Sequence, residues 1–157
     1  MNKPKLIVFE GIDGSGKSTL STMVLHSLVE RNFPIVKFNE PTNFERGLKI
    51  RKFLRKEISL TREEQIELFL LDRKDSLEKN VYPNLKAGNS VILDRYFYSM
   101  AAYQSDELIS PENILDMIIK LLLSPKQGVL LYEYIFITIP ILLNQHHIPF
   151  KFIANRQ

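Results

Sequence analysis

Residues 11–19 read Gly11-Ile12-Asp13-Gly14-Ser15-Gly16-Lys17-Ser18-Thr19 and match G-x-x-x-x-G-K-[ST] at every fixed position. Each fixed residue has a chemical reason. The glycines let a loop fold so that successive backbone N–H groups turn inward toward phosphate oxygens. The Lys17 ammonium reaches the β- and γ-phosphates, and the Ser18 hydroxyl ligates Mg²⁺. A helix starting here would aim its N-terminal dipole at the same anion. The pattern therefore implies a bound nucleotide. It does not say what is done with it, because hydrolase switches and kinases share the loop.

Three further clusters point toward a kinase of a small molecule. Asp94-Arg95-Tyr96 closes an apolar run, at the carboxyl edge where open α/β sheets place ligands. A carboxylate there can hold Mg²⁺ or its water, and an Arg can clamp a phosphate with two hydrogen bonds; the plain alternative is a surface ion pair. Phe69 and Arg73 lie four apart, so on a helix they share one face. That face pairs a flat apolar ring with a planar donor fork, which suits a nucleobase; an aromatic at helical spacing also serves as ordinary core. Asp13, inside the loop, is either a turn former or a carboxylate for Mg²⁺ or a sugar hydroxyl.

These residues need elements to carry them. Leu6-Ile7-Val8-Phe9 is a buried strand ahead of the glycine loop. Leu20, Met23, Val24 and Leu28 recur at helical spacing, with Asn32 as the stop. Ile35-Val36-Lys37-Phe38 is a second strand, ending at Asn39-Glu40-Pro41, and Phe44 to Lys56 is a basic amphipathic helix. Thr61-Arg62-Glu63-Glu64 has the form of a capping box. It opens a long helix that should stop near Ala87-Gly88-Asn89. Ser90 to Asp94 is a third strand. Ser110-Pro111 starts another helix, with Ile109 and Ile114 spaced as a hydrophobic staple. A buried strand is expected around Tyr134 to Ile139. Strands alternating with helices predict a parallel sheet in an α/β layered domain.

Composition bounds the alternatives. The chain has 157 residues, 45% of them apolar and 25% charged, as expected for one globular domain. It contains no Cys, which excludes a disulfide framework, a thiolate metal site and a Cys nucleophile. No export signal precedes the first strand, so the cytoplasm is expected. Residues 1–95 carry 17 basic and 13 acidic side chains, against 4 and 5 in residues 96–157. The densest basic segment holds Arg46, Lys49, Arg51, Lys52, Arg55 and Lys56. It reads as a solvated helix face in preference to a nucleic-acid patch, since no aromatic residues interleave it for stacking on bases.

Taken together, residues 5–104 resemble the thymidylate kinase family of nucleoside monophosphate kinases. The carriers are Phe9-Glu10 leading into the glycine loop, Glu40-Pro41-Thr42 after the second strand, and Asp94-Arg95-Tyr96 followed by Ser99, Ala102, Tyr103 and Gln104. The resemblance implies a P-loop NTPase-type three-layer α/β domain spanning residues 1–157, with a parallel sheet flanked by helices. It implies transfer of the γ-phosphate of ATP to dTMP, with Mg²⁺ as cofactor. Lys17, Arg95 and Asp94 would carry the catalysis, and Ser18 with Asp94 the metal. Phe69 would stack on thymine and Arg73 would hydrogen-bond its edge. Arg95 would hold the acceptor phosphate, with Arg46 or Arg51 as further candidates. Tyr103 would pack under the deoxyribose, Gln104 would line the base pocket, and Asp13 would bind the 3′-hydroxyl. ATP, dTMP and a second copy of the chain are the expected partners, with no nucleic-acid polymer and no membrane. Two alternatives stay open: another deoxynucleoside or nucleotide kinase, for which Glu40 would be the base, and a nucleotide-binding remnant without catalysis.

The chain departs from the family pattern in two places. Gly14 stands where some members carry a basic residue, and members without it take a catalytic Arg from a lid. No Arg lies between Arg95 and Arg156, which makes Arg156 the one candidate. The family's long C-terminal helices, fifth strand and adenine-contacting loop find no match; a shifted reading frame or a truncated copy would give such a tail. His146-His147 lacks a third metal partner. The expectation is weak nucleotide binding, slow turnover or none, and self-association through an exposed fourth strand.

Overall fold

The computed structural model describes residues 3–96, 99–100, 110–122 and 133–138, the last six through their backbone alone. Four strands, β1 (Lys5–Glu10), β2 (Ile35–Asn39), β3 (Ser90–Asp94) and β4 (Glu133–Thr138), form one sheet in the order β2-β3-β1-β4. Every pairing is parallel: Val8 lies opposite Leu93, Val36 opposite Val91, and Ile7 opposite Ile135. The expected parallel α/β sheet is present. Among the described residues β2 and β4 are its edges.

Alternation along β1 sorts side chains between two helical layers. Ile7 and Phe9 join Ile35 and Ile92 on one face, under Val24, Leu25 and Leu28 of helix α1 (Lys17–Glu30). Leu6 and Val8 join Val91, Leu93 and Tyr96 on the other, under Leu77, Val81, Tyr82 and Leu85. Helix, sheet and helix make the three layers. Leu20 and Met23, which continue the apolar spacing of α1, are instead exposed.

The basic helix α2 (Glu45–Leu54) is shorter than expected, with Phe44 at its N-cap. Of its basic residues, Lys49 and Lys52 face solvent, but Arg46 and Arg51 are tied down. Helix α3 (Arg62–Ser76) opens with the expected capping box, Thr61 and Glu64 bonding each other's backbone N–H groups. The long helix does not run straight to Ala87. It widens to i→i+5 bonding over Leu77–Val81 and resumes as α4 (Tyr82–Lys86). Pro83 lacks an N–H, so a straight helix would lose a bond at that turn. Helix α5 (Pro111–Leu122) starts at Ser110, whose Oγ accepts from the Asn113 N–H. It packs Ile114 and Ile118 on Ile66 and Met100. Ile109, the other half of the staple, lies outside the described residues.

Candidate active site

The two central strands end side by side, and each delivers part of the site. From β1 the chain turns into the glycine loop. Gly14 and Gly16 sit at φ of 79° and 83°, a region L side chains rarely adopt. Gly16 is the N-cap of α1, so the first free N–H groups of that helix face the loop. Lys17 is buried, and its Nζ donates to the Ile12 carbonyl at 2.9 Å and lies 3.8 Å from Asp13 Oδ1. Burial first, then the Arg95 guanidinium, lowers the Lys17 pKa against the pull of Asp13, Asp94 and Glu10. The Ser18 side chain is exposed at the start of the helix.

From β3 the chain delivers Asp94 and Arg95. Arg95 holds φ at 74°, with its N–H bonded to the Phe9 carbonyl at 2.9 Å. A bulky residue in the left-handed region is strained, and such strain concentrates at ligand sites. Its guanidinium meets the Asp13 carboxylate across the mouth of the loop. Glu10, buried at the end of β1, fixes the turn that follows. Its carboxylate accepts from the Tyr96 N–H at 3.0 Å, the Ser99 N–H at 3.3 Å and the Ser99 hydroxyl.

Lys37 supplies a second, partly buried cation. Its Nζ donates to Thr22 Oγ1 at 2.8 Å and to the Ser18 carbonyl at 3.3 Å, and lies 3.9 Å from Asp94 Oδ2. Asp94 Oδ1 is buried without a hydrogen-bond partner. Sequence reading missed both Glu10 and Lys37 as site residues. Lys37 did leave a trace, as a charge on the α1 side of an otherwise apolar strand. Glu10 stood out only as part of the motif that leads into the glycine loop.

Beside Arg95 a cavity of about 390 Å³ opens, whose lining includes Asp13, Arg95, Glu40, Phe69, Asp72 and Arg73. Phe69 and Arg73 share it, as their spacing predicts. Phe69 also packs on the Ile66 and Met100 cluster, so it is wall and core at once. Arg73 pairs with Glu40, Nη2 to Oε2 at 2.7 Å, and lies over the Tyr96 ring at 4.7 Å. Burial raises the Glu40 pKa, and Arg73 opposes that shift. The Thr42 N–H and hydroxyl both bond the Asp72 carboxylate, at 2.9 and 2.5 Å. Gly47 lets α2 close on this loop, because a Cβ there would meet the Thr42 carbonyl oxygen at 2.0 Å.

Neither Arg46 nor Arg51 lines the cavity. Arg46 bonds Asp75 at 2.5 Å, and Arg51 bonds the Pro41 carbonyl at 2.5 Å. Burial acts to raise the Asp75 pKa, but hydrogen bonds from Lys79 and Arg46 outweigh it and hold it low. The two arginines brace the loop before α2. Tyr103, Gln104, His146, His147 and Arg156 lie outside the described residues.

A phosphate-binding loop and a base-sized cavity joined through one arginine match a known family. The family model described as thymidylate kinase covers residues 9–132. The chain belongs to the thymidylate kinase family. Within that family, it is 55% identical over 120 residues to the thymidylate kinase of Leptospira borgpetersenii serovar Hardjo-bovis, a match covering 76% of this chain and 58% of the relative. It is 37% identical over 126 residues to the probable thymidylate kinase of Archaeoglobus fulgidus, covering 80% of this chain and 63% of that one. A crystal structure of thymidylate kinase from Ehrlichia chaffeensis superposes with a TM-score of 0.72 at 29% identity, covering 89% of this chain and 74% of that one. The chain spans about three fifths of the length of the curated relatives it matches.

Proposed function

We propose that the chain transfers the γ-phosphate of ATP to dTMP, giving dTDP and ADP. The observation that carries this reading is the joint occupancy of one cavity by Asp13 and Arg95 from the phosphate end and by Phe69 and Arg73 from the base end. A monophosphate lying along that cavity would have its base beside Arg73 and its phosphate beside Arg95. One of its phosphate oxygens attacks the γ-phosphorus in line, the bond to the β-bridging oxygen breaks, and ADP leaves with the electron pair. Lys17 and Arg95 neutralise the charge that spreads over the transferring group, and positioning supplies the rest.

Mg²⁺, when bound, neutralises charge on the β- and γ-phosphates. The donors fit it: the Ser18 hydroxyl and the unpartnered Asp94 Oδ1 are hard oxygens near the loop. No group of three acidic or His side chains among the described residues could hold a metal alone. Phosphate oxygens and water would complete the shell, as is usual for this ion.

A nucleoside acceptor would need a free base near its 5′-hydroxyl. Glu40, the candidate, is buried with Oε2 paired to Arg73 and Oε1 without a hydrogen-bond partner; the monophosphate is favoured instead by the Arg95 guanidinium in the same lining. The same reading takes residues 1–157 as one kinase domain, places the protein in the cytoplasm and makes a homodimer its assembly, which light scattering tests. Among the described residues, no helix is long and apolar enough to cross a membrane. Calorimetric titration with ADP and dTMP tests the two-ended site. Each ligand is expected to bind in the presence of the other, and displacement of one by the other overturns the reading.

A further inference from the structure

Arg95 holds φ at 74°, a conformation that a bulky residue keeps where its surroundings over-determine the backbone. Two consecutive residues at the end of β1 do so. The Phe9 carbonyl accepts from the Arg95 N–H at 2.9 Å, and the Glu10 carboxylate accepts from the next N–H, that of Tyr96, at 3.0 Å. The peptides on both sides of Arg95 are thus tied to one strand. The same Glu10 oxygen accepts from the Ser99 N–H at 3.3 Å, and its other oxygen accepts from the Ser99 hydroxyl. Glu10 is 4% exposed, so water competes little for these bonds. Asp13 also meets the Arg95 guanidinium, but it is 80% exposed, and a solvated carboxylate holds its partner weakly.

We propose that Glu10 is the positioning residue that aims Arg95 at the acceptor phosphate, and that it acts through its hydrogen bonds to the turn and not through its charge. The inference rests on the acceptor reading above and adds to it the residue that sets the Arg95 backbone. Arg95 lines the cavity and Glu10 does not, so the effect of Glu10 on a ligand there passes through the turn. Without the carboxylate the Tyr96 N–H loses its acceptor. The peptide after Arg95 is then free to rotate, and Arg95 can leave the left-handed conformation that directs its side chain.

The test is a set of calorimetric titrations with dTMP and thymidine on the wild type, Glu10→Ala, Glu10→Gln, Arg95→Ala and the double variant Glu10→Ala with Arg95→Ala. The two ligands differ in the phosphate alone, so their affinity ratio reads the hold on that group, whereas a general folding defect lowers both. The wild type is expected to favour dTMP. Glu10→Ala should reduce that preference by about tenfold, the effect of one well-placed hydrogen bond to a charged group, with thymidine affinity within about twofold of wild type. Glu10→Gln should keep the preference. Its amide oxygen can accept from both N–H groups, and its amide nitrogen can donate to the Ser99 hydroxyl, which also accepts. In the Arg95→Ala background, Glu10→Ala should reduce the preference no further. Should Glu10→Ala lose thymidine binding, Glu10→Asp decides, because it keeps the charge while drawing it back from the Tyr96 N–H by one methylene; the preference should fall. The Glu10 charge also acts on Lys17, and an effect by that route would change the preference in Glu10→Gln as well, which overturns the inference. An unchanged preference in Glu10→Ala overturns it too, as does an equal further loss in the Arg95→Ala background. A wild type that binds dTMP and thymidine equally overturns the acceptor reading itself, and the inference with it.

Discussion

At the phosphate end of the cleft Asp13 is 80% exposed and meets Arg95 in the open, while at the base end Asp72 is 2% exposed and gives its carboxylate to Thr42. The contrast extends beyond the two aspartates. The phosphate end is shaped by main chain: two positive-φ glycines, the start of a helix and one buried lysine. On the proposed function its ligand is an anion, which backbone N–H groups can hold from any sequence able to make the turn. The base end is shaped by side chains that meet over long sequence distances, Glu40 with Arg73 and Thr42 with Asp72. A base must be told from other bases, and only oriented, desolvated side chains can do that. On the proposed function, holding phosphate and choosing a base thus call for different construction.

Three substitutions should break the comparison at different points. Lys17→Ala has the largest expected effect. It should lower turnover by about 10²–10³-fold, as for other preorganised electrostatic groups, and leave dTMP affinity near wild type. Steady-state kinetics with a dTMP titration check both. Asp72→Ala comes next, because it strands a buried N–H and hydroxyl of Thr42. A loss of about 2–3 kcal/mol in unfolding free energy is expected, measured by urea denaturation, with dTMP affinity falling more than ADP affinity. Asp13→Ala is the smallest in stability. An exposed ion pair contributes little, so the change should stay under about 0.5 kcal/mol in the same denaturation series. A loss as large as that of Asp72→Ala would erase the distinction between the two ends.

The same contrast explains what could be read from the sequence. The glycine loop, its strand and its helix are local, and residues 5–19 announce them. The capping box at Thr61 and Glu64 needs three residues of separation and was equally legible. Phe69 and Arg73 were legible as a pair because helical geometry alone puts them on one face. Glu40 was readable as a motif residue but not as the partner of Arg73, since no local rule joins positions 33 apart. Arg46 and Arg51 were legible as cations but not by their partners. A basic residue near a phosphate site suggests a ligand, and only tertiary contacts reveal that Asp75 and the Pro41 carbonyl occupy them. Leu20 and Met23 fit the apolar period of α1 yet lie outside its buried stripe, because a period fixes spacing more firmly than it fixes the width of a face.

The central claim is that both ends serve one transfer to a nucleoside monophosphate, and acceptor identity tests it more directly than rate. Incubating the protein with ATP labelled at the γ-phosphate, Mg²⁺ and either dTMP or thymidine, and then separating the products, shows where the label goes. The account predicts label in dTDP with dTMP as acceptor and none transferred to thymidine. Label on thymidine, or label released only as inorganic phosphate regardless of dTMP, would contradict it.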